Sequence, residues 1–395
     1  MEELKPTVHV AAPLLDYECN QRGCCCRGWR IPFRADDLVR LATHLPAEEH
    51  SDGIVDGLII ITDEDHRTID HIRLEGVGED DSCRFLEESG QCGVHIRHGT
   101  EALPDLCVEF PAFSFVMGNR FEFHHDAICP EVINALERSS ADMAELAIDP
   151  PIPEAYGLRM SRGSKVLQPV PLNGVALDWP RLMEIRSAVM VALTDASRPA
   201  LETLCAIAHA LGRVAEGEGD EPFVVDQEAV DREAFGEFLY EAMDAYEAPI
   251  LRTYFWRARR FMFDHEYGVH GLDLPESTWD ALDEHLANWQ EALLARVEPE
   301  EPALRRLMLR YMGHRYWSGL ATSHSDLRIS FGFVPLVTAL SLRVAAAVAS
   351  CVGGQADNRA LKVGLTTGEY VYRNSRLPVE GFPWFVPEGA ASSSA

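Results

Sequence analysis

The sequence predicts a mainly α protein, in which an irregular cysteine-cluster module with small β-hairpins precedes a helical domain. Three observations carry this expectation. Eight of the ten cysteines lie at or before Cys129. A helix-breaking stretch, Asp149-Pro150-Pro151-Ile152-Pro153, follows them. Beyond it, apolar residues recur at three- and four-residue spacing in several long runs, as amphipathic helices require. The expected organisation is residues 1–148 as the cysteine-cluster module, 149–175 as a Pro/Gly-rich linker over the surface, 176–385 as the helical domain and 386–395 as a disordered tail.

In chain order, the first module offers few regular elements. Asp36 to Leu45 predicts a short helix with Leu38 and Leu41 on one face, and Arg67 to Leu74 alternates as a strand does. Phe113 to Phe123 predicts a hairpin turning at Met117-Gly118-Asn119-Arg120, where Gly and Asn supply the positive φ of a tight turn. Glu131 to Leu146 reads as a helix. In the second module, helices are expected over Trp179 to Leu193, Asp226 to Tyr246, Trp279 to Leu293, Ala303 to Leu320 and Phe333 to Val352. The longest apolar stretch, Phe331 to Val352, contains Pro335 and Arg343 and reads as a buried core helix rather than a membrane span.

Composition narrows the function classes. The chain has 395 residues and a formal charge of −28, which argues against a nucleic-acid binder, since phosphates need a basic face. An acidic body favours basic partners, including lysine-rich protein segments. Met1 to Thr7 lacks the basic start and apolar run of a signal peptide, so the expected compartment is the cytoplasm, with no membrane partner.

The chemistry is carried by thiols. Cys19, Cys24, Cys25 and Cys26 open the set, and Cys83, Cys92, Cys107 and Cys129 complete it. Thiolates are soft ligands that select zinc, copper(I) or iron–sulfur centres. Consecutive cysteines suit a disulfide framework poorly, and a reducing cytosol seldom sustains one. Structural zinc favours paired spacings such as C-x2-C. None occurs here: four residues separate Cys19 from Cys24 and eight separate Cys83 from Cys92. An iron–sulfur centre is therefore preferred, with zinc as the alternative. Cys205 and Cys351 fall in apolar helical runs and read as buried small hydrophobes.

These residues resemble a known family. Cys19, Gly23, Cys25 and Cys26 match the C-x-x-C-G-x-C-C pattern of zinc- or iron-chelating cysteine-cluster proteins, with Arg22 in place of the second cysteine and Cys24 as a substitute ligand nearby. The longer frame is similar to the flagellin lysine-N-methylase branch of that superfamily. It comprises Cys25-Cys26-Arg27-Gly28-Trp29-Arg30-Ile31, Cys83-Arg84-Phe85-Leu86, Cys92-Gly93-Val94-His95, Leu103-Pro104-Asp105-Leu106-Cys107-Val108-Glu109-Phe110-Pro111 and Cys129-Pro130-Glu131. The resemblance implies a 4Fe-4S protein that transfers methyl groups from S-adenosylmethionine to lysine side chains of a protein, flagellin being the family's substrate. It implies Cys19, Cys25, Cys26, Cys83, Cys92, Cys107 and Cys129 as metal ligands; among the histidines His95 has the best position, either to support a cysteine ligand through a hydrogen bond or to ligate directly. The competing reading is a non-catalytic zinc- or iron-binding protein with a structural, metal-trafficking or redox role.

No strand–Gly-x-Gly–helix element of a Rossmann-type methyltransferase is apparent, nor the Cys-x3-Cys-x2-Cys loop of common radical enzymes using the same donor. The sequence thus assigns neither catalytic nor S-adenosylmethionine-binding residues. Tyr254-Phe255-Trp256-Arg257-Ala258-Arg259-Arg260-Phe261 reads as a helix with one packed and one solvated face. His124-His125-Asp126, just before Cys129, reads as a polar strand end.

Overall fold

A computed structural model describes residues 7–20, 23–26, 31–33, 35–45, 58–62, 69–74, 83, 85–117, 120–151, 165–172, 174–217, 221–228, 233–239, 301–319, 327–351 and 357–374. Within these residues the chain is mainly α with a few strands. The expected elements at Trp279 to Leu293 and Tyr254 to Phe261, and the C-terminal tail, lie outside the described residues.

A five-stranded mixed sheet gathers much of the N-terminal third. Its order is β7-β1-β6-β5-β8, with β1 Thr7–Ala11, β5 Ala112–Met117, β6 Arg120–His125, β7 Leu146–Ile148 and β8 Lys165–Val166. The β5–β6 hairpin falls where the sequence placed it, with Met117 opposite Arg120. Strand β1 lies parallel to β6, Thr7 opposite Arg120, and antiparallel to β7, His9 opposite Ile148. A second sheet orders β2 Ile31–Phe33, β4 Ile69–Leu74 and β3 Leu58–Thr62 as β2-β4-β3, all antiparallel.

Two expectations are corrected here. The helix expected over Glu131 to Leu146 ends at Arg138: α4 is Pro130–Arg138, and Leu146–Ile148 is strand β7. Ser139 turns extended (φ −61°, ψ 142°), and its hydroxyl accepts the Ala141 N–H at 3.2 Å. Such a local side-chain bond offers the backbone an alternative to further helix. The second concerns residues 165–172, expected on a surface linker. Lys165–Val166 is a strand parallel to β5, and Leu167 and Leu172 are buried in the main core.

The helices pack on this sheet. They are α5 Trp179–Ala192, α6 Ala200–Ala215, α7 over 233–239, α8 Pro302–Gly319, α9 Leu327–Cys351 and α10 Asn358–Asn374. Asp178 caps α5 by accepting the Arg181 N–H at 2.8 Å, with Pro180 in the first turn, where its missing N–H is harmless. One hydrophobic cluster joins sheet and helices, from Val10, Phe115 and Phe123 to Leu182, Leu204, Trp317 and Leu365. Buried Arg310 of α8 donates to the carbonyls of Leu136 (3.0 Å) and Ser139 (2.6 Å), satisfying the C-terminus of α4.

Helices α9 and α10 are each other's principal neighbours. They approach through glycine notches: a Cβ at Gly364 would stand 2.1 Å from the Ser341 carbonyl oxygen, and one at Gly368 2.1 Å from the Ser341 hydroxyl. A backbone oxygen cannot swing aside as a side chain can. Gly364→Ala is therefore expected to destabilise the fold by about 2–3 kcal/mol, although alanine is the better helix former. A fall in the urea midpoint checks this.

Candidate metal centre and a buried polar cluster

Four segments bring the thiols together. A single 3-10 turn, Cys24–Cys26, follows Gly23, whose carbonyl accepts the Cys26 N–H at 2.8 Å. Gly23 has φ +67°, and a Cβ there would meet the Gly90 carbonyl oxygen at 2.2 Å. This position accepts only glycine on both counts. The Cys83 N–H donates to the Cys26 carbonyl at 2.6 Å, and Leu86 bridges Cys92, closing the Cys83–Cys92 loop on itself. Cys92 immediately precedes helix α2 (Gly93–His98), and Cys107 lies in the one-turn helix α3 (Asp105–Glu109).

At the centre stands Cys26, buried, with its thiol hydrogen-bonded to those of Cys25, Cys83 and Cys92. These bonds, with burial and the charge of Cys25 added, push the Cys26 thiol far above the ordinary range. Cys92 moves the other way, down to about 6, chiefly through the Cys26 hydrogen bond. Burial opposes that shift, while the Val94 and His95 N–H groups and the His95 charge assist it. Those N–H groups polarise the sulfur although they do not form a regular helix-capping bond. Cys107 keeps part of its surface in solvent, but burial of its thiol, and then the charges of Cys25, Cys83, Cys92 and Asp37, raise it well above the ordinary value.

The remaining expected ligands are placed differently. Cys129 is buried in the main core, immediately before α4, with the Tyr17 hydroxyl 3.9 Å from its sulfur. Cys92 and Cys107 instead pack against a smaller core of Leu41, Leu45, Val94, Ala102 and Leu103. Cys19 is exposed, and the side chain of Cys24 lies outside the described residues. His95 sits in the first turn of α2, where its charge favours a Cys92 thiolate. None of Cys25, Cys26, Cys83, Cys92 and Cys107 is in a disulfide.

The donor chemistry fits a zinc ion or an iron–sulfur cluster: soft sulfurs gathered from segments far apart in sequence. As it stands the set is a hydrogen-bonded cluster of thiols. Among the described residues no group of three or more His, Cys, Asp or Glu side chains is already drawn around a common point to hold a metal ion.

A second constellation escaped the sequence reading. Glu122, fully buried on β6, accepts both Nη atoms of Arg186 on α5, at 2.8 and 2.7 Å. The guanidinium also lies 3.4 Å from the centroid of Trp317. Burial raises the Glu122 carboxyl, but the charge and hydrogen bonds of Arg186, with the neighbouring His124 ring, together outweigh it and bring it to about 2. His124 stacks on Phe115 (4.7 Å) and stands with Nε2 3.7 Å from Glu122 Oε2. The His125 ring lies tilted against Tyr17 with centroids 4.6 Å apart, and the His125 carbonyl accepts the Nε2–H of buried His314 at 2.7 Å. Burial drives His124 down to about 4, His125 to about 3 and His314 well below its usual value. The expected polar strand end is thus an interior one. A sequence signal existed: Glu122 and His124 alternate with Phe121 and Phe123, so both must share one sheet face. On α8, Glu369 of α10 accepts from Tyr311 (2.7 Å) and pairs with Arg315 (3.1 Å).

No described helix is long and apolar enough to cross a membrane. No family model, no curated protein and no solved structure matches this chain.

Proposed function

We propose that this chain is a cytoplasmic iron–sulfur protein of the flagellin lysine-N-methylase type, which methylates lysine side chains of a protein substrate with S-adenosylmethionine as donor. The observation that supports it is the contact of the Cys26 thiol with those of Cys25, Cys83 and Cys92, with Cys107 near enough to feel their charge. These are residues of the motifs that carry the resemblance. Methyl transfer rests on the resemblance alone.

Cys25, Cys26, Cys83 and Cys92 would hold the cluster, with Cys107, Cys129 and Cys19 as further candidates. A bound cluster supplies a redox-active, thiolate-anchored centre whose potential follows charge and hydrogen bonding at the sulfurs. Binding requires the Cys26 thiol to lose its proton, so loading releases protons and weakens as pH falls. The Val94 and His95 N–H groups favour negative charge on Cys92.

Purification without oxygen, followed by visible absorption and iron, sulfide and zinc analysis, tests the centre. Iron and sulfide in equal amounts are expected, with loss of both in Cys26→Ala; a colourless, zinc-only protein sinks the iron–sulfur reading. Calorimetry with S-adenosylmethionine, then mass gains on lysine-bearing substrates including flagellin, tests the activity. One observation favours the non-catalytic alternative: among the described residues the thiols adjoin a small core of Leu41, Leu45, Val94, Ala102 and Leu103, which a metal would staple. A loaded protein that binds no S-adenosylmethionine would establish that alternative.

A further inference from the structure

The helix that carries Cys107 has no means of standing alone. Helix α3 is a single turn of five residues, and nucleating such a turn is unfavourable without outside contacts. Pro104 precedes it and offers no capping side chain. The missing cap comes from another helix, α1 (Ala35–His44), which begins two residues after β2. Buried Asp37 accepts the Asp105 N–H on Oδ1 at 2.9 Å, at the first residue of α3. Arg40, one turn further along α1, reaches three acceptors with Nη1: Asp105 Oδ1 at 2.7 Å, the Leu103 carbonyl at 2.8 Å and Asp37 Oδ1 at 3.4 Å.

Packing runs along the same seam. Leu38 and Leu41 of α1 join Leu103, Leu106 and Val108 in the small core, and Cys92 and Cys107 lie against it. The Asp37 carboxylate also stands close enough to Cys107 to oppose charge on its sulfur. Asp37 therefore fixes the backbone of the Cys107 turn.

We propose that Asp37 and Arg40 are positioning residues of the thiol centre: from α1 they cap and clamp the turn that carries Cys107, and hold its sulfur against Cys25, Cys83 and Cys92. The inference rests on the thiol-centre reading above for its consequence, and on hydrogen bonds within the protein alone for the clamp. It gives α1, which carries no cysteine, a part in the geometry of the centre.

Two measurements on the full chain test it. Metal-free protein is labelled with iodoacetamide and modification of Cys107 is followed by peptide mass, with Cys205, buried in the main core, as the control for folding. The same proteins are titrated with Co2+, whose charge-transfer and d–d bands report thiolate number and geometry. Asp37→Ala and Arg40→Ala are expected to speed Cys107 labelling about tenfold, the factor for one lost charge-assisted hydrogen bond, with Cys205 still protected. Both should also alter the cobalt bands. Asp37→Asn keeps an Oδ1 acceptor for the Asp105 N–H but removes the carboxylate charge beside Cys107, so it should keep the parent protein's cobalt bands and label Cys107 faster than the parent but more slowly than Asp37→Ala. If an alanine variant exposes Cys205, Arg40→Lys replaces it, since a single ammonium cannot serve all three acceptors. Labelling and cobalt spectra indistinguishable from the parent protein overturn the clamp. A parent protein that takes up no Co2+ overturns the thiol-centre reading instead, and the labelling then decides the clamp by itself.

Discussion

Arg186→Met should cost about 3–5 kcal/mol of stability, because it strands the Glu122 carboxylate in the interior without its partner. The pair is fully enclosed: Arg186 is 6% exposed and Glu122 not at all. The carboxylate would lose two charge-assisted hydrogen bonds at once, and Trp317 the cation over its face. Against a typical total of about 5–15 kcal/mol, this brings the fold near its limit. The double variant Glu122→Gln/Arg186→Met should recover a large part of the loss, since no buried charge then remains uncompensated. Urea unfolding of the two single variants and the double variant, analysed as a mutant cycle, checks both statements. A single variant as stable as the parent protein would show that water reaches Glu122.

The second large effect is acid lability. His124, His125 and His314 are neutral in the folded protein because burial opposes their charge; at His124 burial outweighs the nearby Glu122 carboxylate, which favours charge, and at His314 the neighbouring His124 and Arg315 add to the effect of burial. In the unfolded chain each titrates near the ordinary histidine value of about 6.5. Above that pH both states are neutral and the three contribute no pH dependence. Below it the unfolded chain binds protons that the folded protein refuses, so stability falls by about 1.4 kcal/mol per pH unit for each histidine. For His124 the fall stops near its folded value of about 4; for His125 it continues to about 3. Denaturant midpoints measured from pH 7.5 to 4.5 should decline steeply below pH 6. His314→Gln should reduce that slope by about one proton. A flat profile across this window would mean that the imidazoles are already charged or exposed.

How far the sequence carried the reading can be judged at particular residues. The cysteine motifs were legible because ligand chemistry is written in residue type and spacing. Their convergence was not: Cys26 meets Cys83 through a backbone contact between segments 57 positions apart (83 − 26), which no local pattern encodes. Helices α1, α5 and α8 were legible from apolar periodicity, and the β5–β6 hairpin from alternation around a Gly-Asn turn. Strand β1 was not read, since five residues paired in parallel with a distant strand leave no hairpin signal. Residues 165–172 read as linker because Pro169 and Pro171, flanked by Gly163 and Gly174, dominate local propensity, whereas tertiary burial of Leu167 and Leu172 decides their place. The Arg186–Glu122 pair was invisible for a related reason. A buried charge is recognised only beside its partner, 64 positions away in the sequence.

The parallel pairing of β1 with β6 also sets an order of events during synthesis. Thr7 emerges from the ribosome first, yet its partner Arg120 follows 113 residues later (120 − 7), and Ile148, which pairs with His9, later still. At about 5–20 residues per second, the strand waits roughly 6–23 s for β6 and roughly 7–28 s for β7. During that interval Val8, Val10 and Ala11 form a short apolar β segment with both edges open. The sheet is therefore completed late and from the inside, with its oldest strand threaded between two newer ones. Nascent chains that stop before Ile148 should need chaperone protection that the finished protein does not.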